Sequence, residues 1–227
     1  MAQFASRRSL HWILPAKLES VKIELVRKKL SAHTPTRVET PKDQQASVAI
    51  VLREGERGSE VLLIERALRE GDPWSGHMAF PGGRREPADA STRAAARRET
   101  LEEVGVELGG AEYLGRLDDL MGNPRVSPKL VIAAHAFHLE EQQPFVLAPR
   151  EVQHALWFPL AALHDQSRWV DHGIPALPDM RFPGVLVGEP DRHIVWGLTY
   201  RFIDCLLDIL EQPFPDRWGE LADFVDP

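Results

Sequence analysis

The stretch RRETLEEVGV, Arg97 to Val106, sets Glu99, Glu102 and Glu103 beside two arginines and just ahead of Gly105. It ends a segment that reads as a helix over about 91–104. Ser91 suits the N-cap, and Gly105 suits a left-handed stop. On such a helix Glu99 and Glu103 are offset by only about 40° around the axis, and Glu102 sits close to both. Arg98 lies four residues before Glu102 and can pair with it. The positions three and four away from Glu99 hold Ala95, Ala96, Glu102 and Glu103; those around Glu103 hold Glu99, Thr100, Val106 and Glu107. Neither glutamate therefore has a basic neighbour at helical spacing. Both lie toward the negative end of the helix dipole, where each misplaced charge costs on the order of 0.3–1 kcal/mol. Two readings follow from the helix alone. One is a solvated acidic face; the other is a set of ligands for a hard divalent cation, Mg²⁺ or Mn²⁺.

The preceding loop, FPGGRREPAD (Phe80 to Asp89), bears on that choice. Gly82 and Gly83 let backbone approach a ligand closely, and consecutive amides in such a turn form an anion-binding concavity. Arg84 and Arg85 add charge-assisted donors for phosphate. A phosphate cradle feeding a metal-binding helix suits a diphosphate.

Further outward, ASVAIVLRE and EVLLIER read as strands separated by the turn GERGS. Short strand signals follow at HMAF, YLGRLDDL, KLVIAAHAFHLE and HALWFPL, and HIVWGLTYRFIDCLLDILE reads as a final helix. Strands first, with one helix in the middle and one at the end, predict an α/β fold: a mixed sheet covered by helices. Residues about 16–32 form an amphipathic helix with Leu18, Val21 and Leu25 as its apolar stripe, and TPTRVETPKDQQ is a linker. The expected divisions are a helical extension and linker over 1–40, a main domain over 41–215 and a tail over 216–227.

The chain has 227 residues, 43% hydrophobic, with 27 basic and 34 acidic residues and a net charge of -7. That is length enough for one large core. The acidic balance speaks against a nucleic-acid partner, which needs a concentrated basic stripe. No apolar run approaches the roughly 20 residues of a membrane span, so no membrane partner is expected. The N-terminal LHWILP, after Arg7 and Arg8, is too short for a signal peptide and lacks a clear cleavage site; an organellar presequence is the remaining alternative. The single cysteine, Cys205, fits a reducing compartment, so a cytoplasmic location is expected, and in its apolar helix it reads as a small core residue.

The run GGRREPADASTRAAARRETLEEVGV resembles the Nudix box of the Nudix hydrolases, most specifically at RETLEEVGV. The resemblance implies a Nudix-type α/β/α sandwich with a mixed β-sheet. It also implies hydrolysis of a nucleoside diphosphate linked to another group, with Mg²⁺ or Mn²⁺. Glu99 and Glu103 are then the main metal ligands, Glu102 a supporting ligand and Arg98 the residue orienting the carboxylates; the Gly82 carbonyl is a further ligand candidate. The box is one residue longer than the usual pattern and carries Asp89 where glutamate is common, which makes Asp89 and Glu86 rivals for one role.

The longer box is similar to the branch that hydrolyses coenzyme A. VLLIERA, Gly76 and FPGG resemble the upstream signature of that branch, although Asp72 stands where arginine would align. GRLDDL, EVQHALWFPL and IVWGLTYRFIDCLL resemble its downstream blocks. Arg66, within VLLIERA, joins Gly82, Gly83 and Arg84 as a candidate substrate contact. Glu99 is the first choice of general base, and Glu151 in REVQ the second. The expected substrate is a small, coenzyme A-like nucleoside diphosphate, cleaved to 3',5'-ADP and 4'-phosphopantetheine. The rivals are a diphosphatase for ADP-ribose, dinucleotides or nucleoside triphosphates, and a non-catalytic nucleotide-binding module. Trp74 reads either as an adenine-stacking residue or as packing under its loop. The N-terminal helix is read as an oligomer contact, in a homodimer. The nine histidines show no zinc-like spacing; His135 and His138 would face opposite sides of one strand.

Overall fold

A computed structural model describes residues 20–72, 74–122, 127–174 and 177–215. Leu18, the Arg7–Arg8 run and the tail over 216–227 lie outside the described residues. In chain order the elements are α1 (Ile23–Ala32), β1 (Gln45–Gly55), β2 (Gly58–Arg66), β3 (Met78–Ala79), β4 (Gly82–Arg84), α2 (Thr92–Val104), β5 (Glu112–Arg116), β6 (Leu120–Met121) and β7 (Val131–His138). They continue with β8 (Val152–Pro159), β9 (Trp169–Ile174), β10 (Leu177–Leu186), β11 (Ile194–Trp196) and α3 (Gly197–Ile209).

The main sheet is mixed. β1 runs parallel to β7 from Gln45 to Leu52 and antiparallel to β2 and β4, and β2 also pairs with β3 and β8. Strand alternation splits the core into two layers. Ile50 and Leu52 of β1, with Val61 and Leu63 of β2, pack against Val26 and Leu30 of α1 and Ile203, Leu206 and Leu207 of α3. Their neighbours Ala49, Val51, Leu62 and Ile64 face the other way, against Ala96 and Val104 of α2. Helices cover both faces of a mixed sheet, as expected. Among the described residues no helix is long and apolar enough to cross a membrane.

Three elements differ from the sequence reading. The first helix begins at Ile23, and its buried stripe is Ile23, Val26 and Leu30; Val21 is buried just before it, and Leu25 is only half-buried. The apolar run from His193 begins as strand β11, and helix α3 starts only at Gly197, whose φ is +60°. An apolar run opening on β-branched residues carries both periods, and pairing with β10 decides it. Strands β9 and β10 were not anticipated; with β11 they form a separate three-stranded antiparallel sheet.

Candidate active site

Helix α2 forms as its ends predict. The Ser91 hydroxyl accepts from the Ala94 amide at 3.1 Å, and Gly105 takes the left-handed conformation at φ +72°. The orphan carbonyls of its last turn are met from far along the chain: the amides of Val146 and Ala148 donate to the carbonyls of Val104 and Glu103, both at 2.9 Å. The Ala148 carbonyl then accepts from the amides of Glu151 and Val152. This relay places Glu151 beside the helix. Carboxylate oxygens of Glu99, Glu103 and Glu151 all lie within 4.8 Å of one another.

Glu103 is 2% exposed. Its Oε2 accepts from the Gly82 amide at 2.8 Å, and among the described residues no ion pair reaches it. Burial pushes its carboxyl up to about 8; the Gly82 bond opposes the rise, and the charge of Glu99 adds to it. Glu99 is also raised, by burial first, against the pull of Arg98.

Arg98 corrects the expectation that Glu99 lacks a basic neighbour on its helix. The arginine folds back so that one Nη1 donates to both Glu99 and Glu102, each at 2.9 Å. Its Nη2 donates to Asp89 at 3.0 Å and to the Arg84 carbonyl at 3.1 Å. Asp89 is buried, and Arg98 first, through its hydrogen bonds, holds its carboxyl below the usual range. Between the two rivals, Asp89 makes the close contact to Arg98, while the exposed Glu86 is 3.9 Å away. Glu102 is half exposed, tied to Arg98, and outside the three-carboxylate group.

The glycine loop also departs from expectation. Gly82–Arg84 is a strand paired with β1 rather than an open anion-binding turn, and the Gly82 amide is taken by Glu103. The glycines serve close approach instead. A Cβ on Gly82 would overlap the Ser47 carbonyl oxygen and come within 2.7 Å of Val48 Cα; one on Gly83 would come within 2.5 Å of the Glu99 carboxylate. Arg84 is exposed. Arg85 bonds to Gln45 and to the carbonyls of Asp89 and Ala90, so its guanidinium holds the loop together. Arg66 ends β2 next to this site and donates to Asp72 at 3.1 Å.

The donor set suits a hard cation: oxygens only, gathered by the fold, with one carboxylate buried and lacking a cationic partner. A second trio, Glu112, His138 and Glu140, is also close-set, but there Arg27 holds Glu112 with two bonds of 2.7 and 2.8 Å. Glu112 is thereby already neutralised, which separates this trio from the site at α2. His135 lies between the Thr92 hydroxyl and the Tyr113 hydroxyl at 2.9 and 3.0 Å.

A family model for the NUDIX domain matches residues 43–179, more than half of the chain. The chain belongs to the Nudix family. Nudix hydrolases act on phosphorus-containing anhydrides and as a class use divalent metal ions. An uncharacterized protein of Schizosaccharomyces pombe is 44% identical over 107 residues, 45% of this chain and 32% of that protein, so the match spans about a third of that relative. The uncharacterized Nudix hydrolase NudL of Salmonella paratyphi B is 30% identical over 164 residues, covering 71% of this chain and 80% of its own. Among solved structures, a MutT/nudix family protein from Enterococcus faecalis is similar with a TM-score of 0.45 at 19% identity, over 92% of this chain and 81% of that one.

Sequence reasoning ranked Glu151 second as a base and did not join it to Glu99 and Glu103. The signal was absent from local spacing, because backbone bonds across more than forty residues bring it in.

Proposed function

We propose that this Nudix chain hydrolyses the diphosphate bond of coenzyme A or its derivatives, yielding 3',5'-ADP and 4'-phosphopantetheine, with Mg²⁺ or Mn²⁺. The observation that carries diphosphate hydrolysis is the convergence of Glu99, Glu103 and Glu151 around one point, with Glu103 buried and unpaired by any cation among the described residues. Support for the coenzyme A branch is the upstream resemblance at VLLIERA, Gly76 and FPGG. That segment adjoins the acidic group: the Ala67 amide donates to the Glu151 carbonyl at 2.8 Å.

Glu99 and Glu103 would hold the divalent ions, which when bound supply charge neutralisation and activation of water. Arg98 fixes Glu99 through its bond and is itself fixed by Asp89, so the ligand geometry is set before substrate arrives. Glu151 is exposed and lies within the group without an ion pair among the described residues. It accepts the proton of the attacking water at its carboxylate, in preference to Glu99, which Arg98 already engages. The rest is positioning of a charged substrate.

The test is a panel of coenzyme A, ADP-ribose, a dinucleoside polyphosphate and a nucleoside triphosphate, each with Mg²⁺ or Mn²⁺ and with chelator. Metal-dependent release of 3',5'-ADP from coenzyme A at the highest kcat/KM is expected. Preference for another member overturns the branch. Failure on all of them overturns the enzyme reading.

A further inference from the structure

Beside the acidic group stands a set of half-buried rings from three separate elements: Trp74 and His77 from the loop after β2, His172 from β9 and Trp196 from β11. His77 lies 5.9 Å from Trp74 and 4.9 Å from Trp196, and His172 lies 4.8 Å from Trp196. The interplanar angles are 72°, 68° and 39°, so these rings meet edge-on or tilted and no parallel partner within the set closes their faces.

Trp157, also half-buried, shows the contrasting case. Phe145 stacks on it at 25°, and the Arg53 guanidinium lies 4.4 Å from its centroid. Its π-surface already has occupants; Trp196 meets only edge-on or tilted rings, His77, His172 and Phe182, the last at 5.5 Å and 45°, and among the described residues Trp74 meets only the ring of His77.

The cluster is tied to the acidic group through two consecutive residues. The Arg66 amide donates to the His77 carbonyl at 3.0 Å, and the next amide, Ala67, donates to the Glu151 carbonyl. Asp72 binds this junction, accepting from Arg66 Nη2 at one oxygen and from the Trp74 amide at the other, at 3.1 and 2.9 Å. The buried Nε of Arg66 has no hydrogen-bond partner among the described residues. The side chain as a whole is 32% exposed, so its guanidinium remains within reach of a phosphate oxygen. Burial holds the His77 imidazole down at about 4 and lowers that of His172, so both are neutral near pH 7 and each ring offers one donor and one acceptor.

We propose that Trp74, His77, His172 and Trp196 form the subsite for the nucleobase of the substrate, with Arg66 contacting the phosphate between base and acidic group. The proposal rests on the diphosphatase reading above and assigns the nucleotide half of the substrate to this side of the site. Bases stack on aromatic faces whatever their sequence identity, and neutral imidazoles add hydrogen bonds at the base edge without a charge.

The test titrates the full chain with ADP and with inorganic pyrophosphate, followed by tryptophan fluorescence and by competition. ADP is expected to quench emission and to bind more tightly than pyrophosphate. Trp196→Leu is expected to weaken ADP binding about 10-fold or more, leave pyrophosphate binding unchanged, and raise KM with kcat held. Trp196→Phe, which keeps a ring, is expected to stay near the wild type. Equal affinity of the wild type for ADP and pyrophosphate overturns the subsite, as does unchanged ADP affinity in Trp196→Leu. If ADP binds as described while no diphosphate is hydrolysed, the subsite stands and the diphosphatase reading falls. Hydrolysis with ring-independent ADP binding does the reverse.

Discussion

Replacing Glu103 with glutamine separates what this carboxylate does for metal from what it does to the fold. In the metal-free protein, burial raises the Glu103 carboxyl from its ordinary 4.5 to about 8. At ~1.4 kcal/mol per unit, such a shift corresponds to a penalty on the order of 3–5 kcal/mol once the pH exceeds the folded value. The folded value is the higher one, so this group costs nothing below about pH 4.5. The cost grows as the pH rises from there and is complete above about 8. Glutamine occupies the same volume, can still accept from the Gly82 amide, and carries no charge. At pH 8.5 in chelator the Glu103→Gln protein is therefore expected to melt about 6–20 °C above the wild type, at roughly 2–4 °C per kcal/mol for a chain of this size. Near pH 5 the two should nearly coincide. Adding Mg²⁺ should stabilise the wild type at pH 8.5 and move the variant little. Hydrolysis should fall at least ~100-fold, since even outer-shell partners of metal ligands are worth 10–100-fold. Thermal melts by circular dichroism across this pH range, with and without Mg²⁺, make the measurement. A variant that melts below the wild type at pH 8.5 in chelator, or that gains as much from Mg²⁺, would refute the reasoning.

The remaining predictions concern the supports of the site. Arg98→Ala leaves buried Asp89 without its cation, and urea unfolding should show a loss of about 3–5 kcal/mol; Arg98→Lys should recover only part of it, because one ammonium cannot reach all four partners. Gly82→Ala should push β4 off β1 and displace the amide that holds Glu103, abolishing Mg²⁺-dependent stabilisation; an unchanged response to Mg²⁺ would count against that role. Burial raises the Cys205 thiol to about 11, so alkylation at pH 8 should be slow in the folded protein and fast after denaturation, as mass spectrometry would report.

Much of the layer at α2 was legible because its signals are local. A capping serine, a terminal glycine and a carboxylate spacing are read within fifteen residues. β1 and β2 were equally clear from their β-branched runs. What escaped was set by pairing at a distance. Whether GGR turns or extends depends on the edge of β1, and whether IVW coils or pairs depends on β10. β9 and β10 contain Gly173, Pro183 and Gly184, which blur the alternation that marks a strand. Glu99 gained its basic partner because a long arginine side chain can double back to its immediate neighbour, a contact that counting threes and fours does not include. Asp72 looked like a mismatch in the upstream signature; in the fold it bonds both Arg66 and Trp74.

The bond from the Ala148 amide to the Glu103 carbonyl carries a consequence for how this chain can vary. It is made of main-chain atoms, so exchange of either side chain leaves donor and acceptor in place. Only the exposed stretch at Glu140 and Glu141, between the buried strand β7 and this anchor, is free to change length or composition while both of its ends stay held. Insertions there should leave Glu103 and Glu151 facing each other, whereas a proline at position 148 would remove the amide and let the two drift apart.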